Sequence, residues 1–272
     1  MVISALKKIN MLLVVWSCIP RTPIRNKIQL LFKPLESTRY TELSFIYYYL
    51  KSILSSSSFC LDVSSPYILS YILSRNNKII KTDIFIDEKK NIRESEKLNF
   101  EYQDALALTF KDNTFDFVYS ISVIEHIYNG LSKSVNEMIR VTKPGGYIYI
   151  SFPVSAKYQE EWLDSTIYSN QFMKDNKTFF QYRLDKTSLE SFLKSLKNII
   201  ILEKQIYWER SNGTYNKMIS KLKSTSGFNY LDYFKNAFLN FYYGFTLLKP
   251  SPEDFSNAKD YGNISILLKK TT

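Results

Sequence analysis

The stretch that decides the fold is residues 60–84, CLDVSSPYILSYILSRNNKIIKTDI. An apolar run ends in Asp62, a helical stretch follows, and a second short β-rich run ends in another acid, Asp83. Strand, helix and strand in this order read as a right-handed parallel crossover. Such a unit usually carries glycines in its first turn, so that a nucleotide and the helix can approach the backbone. Here the turn is Ser64-Ser65-Pro66. Ser64 or Ser65 is suited to cap the helix and Pro66 to open it, so the turn is expected to present a helix N-terminus. Free N–H groups there favour an anion. Serine is small, but it resists the positive φ that glycine accepts.

Working outward, the helical spacing of YTELSFIYYYLKSIL (40–54) predicts a helix packed on the sheet. NFEYQDA (99–105) predicts a third short strand, FDFVYSIS (115–122) a strongly apolar fourth, and GYIYISFPV (146–154) a fifth. The charged DEKKNIRESEKL (87–98) is a connection. Lys143-Pro144-Gly145-Gly146 closes the helix LSKSVNEMIRVT (131–142), since proline cannot continue it and glycine allows a left-handed turn. DKTSLESFLKSL predicts a further helix, and NIIILEKQIYW and the terminal NISILLKK two more strands. Strands alternating with helices imply an α/β, Rossmann-like, doubly wound and mostly parallel sheet with helices on both faces. The loops after the strands then share one edge, which is the expected binding crevice.

Composition narrows the class. The 272 residues are 45% hydrophobic and 16% aromatic, enough for a substantial core. Two cysteines make neither a disulfide framework nor a metal cluster, and Cys60, inside the first strand, reads as an inert buried thiol. No metal site is expected, and the expected location is cytoplasmic. The net charge of +10 has no zinc spacing or RNA-binding signature beside it, so nucleic acid is not the expected partner. Residues 1–35 carry six Lys or Arg and no acid around INMLLVVWSCI. That segment reads as a core-covering amphipathic helix, a peripheral membrane-surface contact or a targeting segment; it is too short to span a bilayer. The expected organisation is an N-terminal helical cap, 1–54, and a main domain, 55–272, with insertions near 155–185 and 214–258.

YQDALALTFKDNTFDFVYSISVIEHI (102–127), followed by EMIRVTKPGGYIYISFPV (137–154), resembles a class I S-adenosylmethionine-dependent methyltransferase. The resemblance covers roughly residues 58–154. It implies a seven-stranded sheet whose last strand, NISILLKK, is antiparallel, and S-adenosyl-L-methionine as cofactor. It further implies that Asp62 is the acid before the cofactor turn and that Ser64, Ser65 and Pro66 form that turn. Asp83 would bind the ribose hydroxyls, because one carboxylate can accept both protons. Asp104 with the backbone of Ala105 would receive the adenine amino group, and Ser120 and Ile121 would lie under the methionine and adenosine. Glu125 and His126, the latter the sole histidine, stand after the fourth strand as candidate base or as scaffold. No Pro-Pro-Tyr/Phe motif or Pro-Cys nucleophile marks a nucleobase substrate, which leaves a hydroxyl or amine on a small molecule, sugar or glycan, or a lipid-linked acceptor. Trp162, Tyr168, Phe179, Phe180 and Tyr182 in 155–185 offer an acceptor lid or a simple cover for the sheet, and aromatic residues of 214–258 extend it. The competing class is a non-catalytic binding or scaffold protein that retains the fold without the glycines.

Overall fold

The computed structural model describes residues 4–22, 24–84, 98–166, 171–225, 230–251 and 255–272. The charged connection at 87–98, apart from Leu98, and Tyr168 lie outside them. Two compact units are present, each made from two lengths of chain: residues 1–52 with 205–263, and residues 53–204 with 264–272.

The larger unit contains the crossover read above. Strand β1 (Phe59–Val63), helix α4 (Ile68–Leu73) and strand β2 (Lys78–Asp83) are followed by β3 (Asn99–Tyr102), β4 (Phe115–Ile121), helix α5 (Leu131–Val141) and β5 (Thr142–Val154). β1 lies parallel to β2 on one side and to β4 on the other. β3 adds in parallel to β2, and β5 to β4. Cys60, Leu61, Phe117, Val118, Ile148 and Ile150 are wholly buried, as inner parallel strands covered on both faces require. Burial pushes the Cys60 thiol up to about 12, so it is an inert core residue.

Helix α5 ends at Val141, and β5 begins at Thr142 and carries the Lys143–Gly146 segment on an irregular register opposite Phe115–Phe117. Gly145 takes φ +77°, and a Cβ on Gly146 would stand 2.9 Å from the Asp116 carbonyl oxygen. Only glycine permits that approach. Beyond β5, strands β6 (Gln159–Leu163), β7 (Met173–Lys174) and β8 (Lys177–Arg183) form a separate antiparallel sheet in the order β6-β8-β7. Helix α6 (Lys186–Ser195) opens on a reciprocal cap between Asp185 and Ser188.

The main sheet runs β10-β9-β11-β5-β4-β1-β2-β3, with β9 at Ile199–Glu209, β10 at Leu248–Ser251 and β11 at Gly262–Lys270. It has eight strands rather than the expected seven. The addition is β10, antiparallel to β9, where Pro250 is tolerated because β10 is an edge strand.

The smaller unit is helical apart from β10 and the strand ends it contains. It holds α1 (Ala5–Trp16), α2 (Ile24–Phe32), α3 (Arg39–Ile53), α7 (Thr214–Ser224) and α8 (Tyr230–Thr246). The aromatic segment at 230–246 partners the N-terminal helices. Tyr40 meets Phe245 at 5.5 Å, and Phe32 meets Phe234 edge-on at 5.2 Å. Gly244 lies against the Tyr40 ring, where a Cβ would come within 2.4 Å.

Candidate functional site

The order β5-β4-β1-β2-β3 reverses direction between β1 and β4, and the crevice of a doubly wound sheet opens at that point. Register places Asp62 beside Lys81 and Tyr119, and Asp83 beside Tyr102. The segments that leave these strands, 64–67, 84, 103–107 and 122–127, therefore start from one edge.

The first turn departs from expectation in two ways. Ser64 does adopt the left-handed conformation, φ 59°, held by its N–H on the Thr82 carbonyl at 2.9 Å. The chain thus bends where glycine would, at a steric cost of about 1–2 kcal/mol. Ser122, at the end of β4 on the same edge, is also left-handed at φ 48°. Strained non-glycine residues gather at functional sites, and here two flank the switch point.

The expected helix cap, however, does not form. α4 begins at Ile68 after Tyr67, whose side chain makes no capping bond, and it is only six residues long. Ser65 is engaged inward. Its N–H donates to Asp62 Oδ1 at 2.8 Å, its hydroxyl accepts the Ile121 N–H at 2.9 Å, and its carbonyl accepts the Lys81 ammonium. Asp62 is wholly buried. Its Oδ2 accepts from the Ser70 hydroxyl and from Lys81 Nζ at 3.3 Å. Ser70 also meets the Tyr119 hydroxyl at 2.9 Å, and burial holds that phenol well above its ordinary pKa. A polar network of Lys81, Asp62, Ser65, Ser70 and Tyr119 thus lies under the turn. Asp62 and Ser65 are both engaged in shaping the turn. The signal for Lys81 was present in KIIKTD, where this second lysine falls inside the buried run that begins after exposed Lys78.

Ser120 is likewise buried, with its hydroxyl on the Val63 carbonyl at 3.0 Å, and Ile121 is fully buried. These two join the β4 end to the β1 end from beneath. Ser64 and Pro66 remain half-buried at the surface of the turn.

The acids at the other strand ends are placed differently. Asp83 is half-buried at the last position of β2, and its carbonyl accepts the Gln103 N–H at 3.1 Å. Asp104 is also half-buried, and its Oδ1 accepts the Leu106 N–H at 2.8 Å, which fixes the turn through buried Ala105. This turn is braced on α5. Glu137 accepts the Leu108 N–H at 3.0 Å and pairs with Arg140, whose guanidinium also donates to the Leu108 and Phe110 carbonyls.

Glu125 and His126 occupy a 3-10 turn, Ile124–His126, after β4. Glu125 is buried, and its Oε1 lies 3.8 Å from His126 Nε2. His126 Nδ1 bonds the Phe180 carbonyl of β8, and its ring packs on the Phe180 ring at 4.9 Å. A carbonyl only accepts, so Nδ1 carries the proton and Nε2 is the nitrogen able to take one.

The 155–185 segment builds an aromatic cluster beside this turn. Tyr128 stacks on Phe172 at 3.9 Å and lies 5.1 Å from Phe179 and 5.8 Å from Trp162. Phe179 meets Trp162 at 5.4 Å and Tyr182 at 4.6 Å, and the Tyr182 hydroxyl accepts the Asn129 N–H at 3.0 Å. Phe179 and Tyr182 are buried, Trp162 and Phe180 half-buried, and Phe172 exposed. Tyr128 is the hub that sequence reading missed. It sits outside 155–185, and only the docking of β8 on the 3-10 turn brings it in.

Residues 64–150 match the family model described as the methyltransferase domain. Among curated proteins, the chain is similar to norajmaline N-methyltransferase of Rauvolfia serpentina, 49% identical over 55 residues, covering 20% of this chain and 18% of the relative. It is also similar to the tRNA (carboxymethyluridine(34)-5-O)-methyltransferase of Arabidopsis thaliana, 32% identical over 94 residues, covering 28% of this chain and 23% of the relative. The alignments thus span about a fifth of those proteins. Among solved structures, the [4+2]-cyclase SpnF aligns with TM-score 0.51 at 16% identity, over 88% of this chain and 84% of that one. That likeness speaks to the fold alone.

The matched segment, 64–150, runs from the turn after β1 into β5 and is similar to a methyltransferase domain, and the sheet order is that of the class I type. The cofactor of that class is S-adenosylmethionine. The nucleoside half of such a cofactor fits the two half-buried acids at the end of β2 and in the turn after β3, and the left-handed bend at Ser64 keeps the backbone path that close approach needs.

Proposed function

We propose that this protein is an S-adenosylmethionine-dependent methyltransferase acting on a hydroxyl or amine of a small polar molecule, sugars included. The observation that carries the reading is the placement of Asp83 and the Asp104–Ala105 turn on the edge where β1 and β4 diverge. Asp83 would hold the ribose hydroxyls, Asp104 and the Ala105 backbone the adenine edge, and the Ser64–Pro66 surface the amino-acid end. The cofactor supplies the electrophilic methyl group. The chain's own residues orient the acceptor and manage its proton. His126 Nε2 is the candidate base, with Nδ1 anchored on the Phe180 carbonyl so that the ring cannot turn. Trp162, Phe172 and Tyr128 offer apolar faces beside it for the acceptor. The small-molecule reading agrees with the similarity to norajmaline N-methyltransferase, while the tRNA methyltransferase supplies the contrasting outcome to test.

Calorimetry with S-adenosylmethionine and its demethylated product is the first test, and Asp83→Ala should weaken binding by about 1–3 kcal/mol through loss of charge-assisted hydrogen bonds. Mass spectrometry of acceptor pools incubated with methyl-labelled cofactor should then find the label in a small molecule. Label in nucleic acid would overturn the acceptor class. The rival reading, a scaffold that has kept the fold, is favoured by the inward engagement of Asp62 and Ser65. Absence of cofactor binding at millimolar concentration would select it.

A further inference from the structure

We propose that the smaller unit docks on an anionic lipid surface through one apolar face shared by α1, α2 and α8. Both long helices of this face are apolar on two sides. On α1, Met11, Leu12 and Val15 are buried, yet Leu6, Ile9, Leu13 and Trp16 are exposed. On α8, Ala237, Tyr243 and Gly244 are buried, yet Leu231, Phe234, Phe238 and Phe241 are exposed. Each exposed set follows the spacing i, i+3, i+7, i+10, which is a single stripe along a helix. Leu13 is 57% and Phe238 66% exposed, so these are open side chains and not the rim of a core.

The stripes are joined within the unit. Trp16 Nε1 donates to the Leu30 carbonyl of α2 at 3.1 Å, and α2 exposes Ile28, Leu31 and Phe32. Phe32 in turn packs edge-on against Phe234 of α8 at 5.2 Å. The three helices therefore present adjoining apolar surface, rich in the aromatic side chains that favour a bilayer interface.

Charge selects the occupant. The smaller unit, residues 1–52 and 205–263, has fifteen Lys and Arg against seven Asp and Glu, a net of +8. The whole chain has 36 against 26, a net of +10, so four-fifths of the excess lies in this unit. Lys7 lies 4.0 Å over the Tyr48 ring beside the α1 stripe, and Lys235 is more than half exposed on α8. Apolar stripes bordered by cations fit the headgroup region of an anionic membrane. No helix among the described residues is long and apolar enough to cross a membrane, so the contact is with one surface.

The test is cosedimentation of the full chain with phosphatidylcholine vesicles, with and without phosphatidylglycerol. Binding is expected to the anionic vesicles, to weaken with added salt, and to fall about tenfold or more in Leu13→Asp with Phe238→Asp. Both positions are open to solvent, and an unchanged circular dichroism spectrum shows that the variant folds. Ile200→Asp, an exposed apolar position in the larger unit, should bind as the parent does. Quenching of Trp16 by brominated lipid, lost in Trp16→Phe, would locate the contact. Binding unaffected by the double substitution, or equal for neutral and anionic vesicles, overturns the proposal. So does a self-associating chain whose oligomer, rather than vesicle binding, the substitutions abolish.

Discussion

At the residue scale, the turn at 64–66 shows how a serine pair can stand where a nucleotide-binding strand usually meets glycine. Ser64 accepts the left-handed bend because it is tied on both sides. Its own N–H is held by Thr82, and the next residue is fastened to Asp62, Ile121 and Lys81. The ammonium of Lys81 is central to that arrangement, since it bridges the buried Asp62 carboxylate and the Ser65 carbonyl. Removing one partner of a buried pair leaves the other charge unsolvated, which commonly costs about 3–5 kcal/mol. Lys81→Met is therefore expected to lower unfolding free energy by about that amount in urea titration. Double substitution of Lys81 and Asp62 by apolar residues should cost less than the sum, because no stranded charge remains.

At the element scale, the proposed function makes the antiparallel β6-β8-β7 sheet the part concerned with acceptor specificity. It carries Phe180, which bonds His126, and Trp162 and Phe179, which together with Phe172 just before β7 pack around Tyr128. None of these residues lies on the strand ends assigned to the nucleoside. Trp162→Ala should accordingly impair turnover by tenfold or more (about 1.4 kcal/mol in transition-state stabilisation) while leaving calorimetric cofactor affinity nearly unchanged. Loss of cofactor affinity in a folded Trp162→Ala protein would contradict that division of labour.

At the scale of the whole molecule, stability should carry a signature of the smaller unit. Lys8 on α1 is buried, with Nζ donating to the Gly244 carbonyl at 2.7 Å, and burial lowers its pKa from 10.5 to about 8. The unfolded chain therefore holds this proton more tightly than the folded one between those values. Where the unfolded state binds more protons, stability rises with pH. Lys8 should thus contribute a rise in unfolding free energy from about pH 8 toward pH 10.5. Tyr40, whose phenol burial pushes upward, acts with the opposite sign above its ordinary pKa of 10. The difference between the parent and Lys8→Met isolates the lysine. Urea titrations at about pH 7, 8.5 and 10 should show a parent that gains on the variant as pH rises.

The sequence by itself determined the crossover at 60–84, the parallel core strands and the helix after the fourth strand, because burial on both faces writes continuous apolar runs and helices write a 3.6-residue period. It also located Asp83 at the end of the second strand, since an acid that stops an apolar run is visible in one dimension, whereas β3 ends at Tyr102 and leaves Asp104 in the turn beyond it. Only the tertiary structure decided which polar residues face inward. Asp62 and Ser65 are hydrogen-bonded beneath the turn because Lys81 and Ser70 reach them from neighbouring elements, and Ser120 is bonded to the Val63 carbonyl. Tyr128 joined the aromatic cluster, and residues 230–246 joined the N-terminal helices, through contacts between segments distant in sequence. Periodicity reports which face of an element is apolar, whereas the partner of that face depends on how the chain folds back on itself.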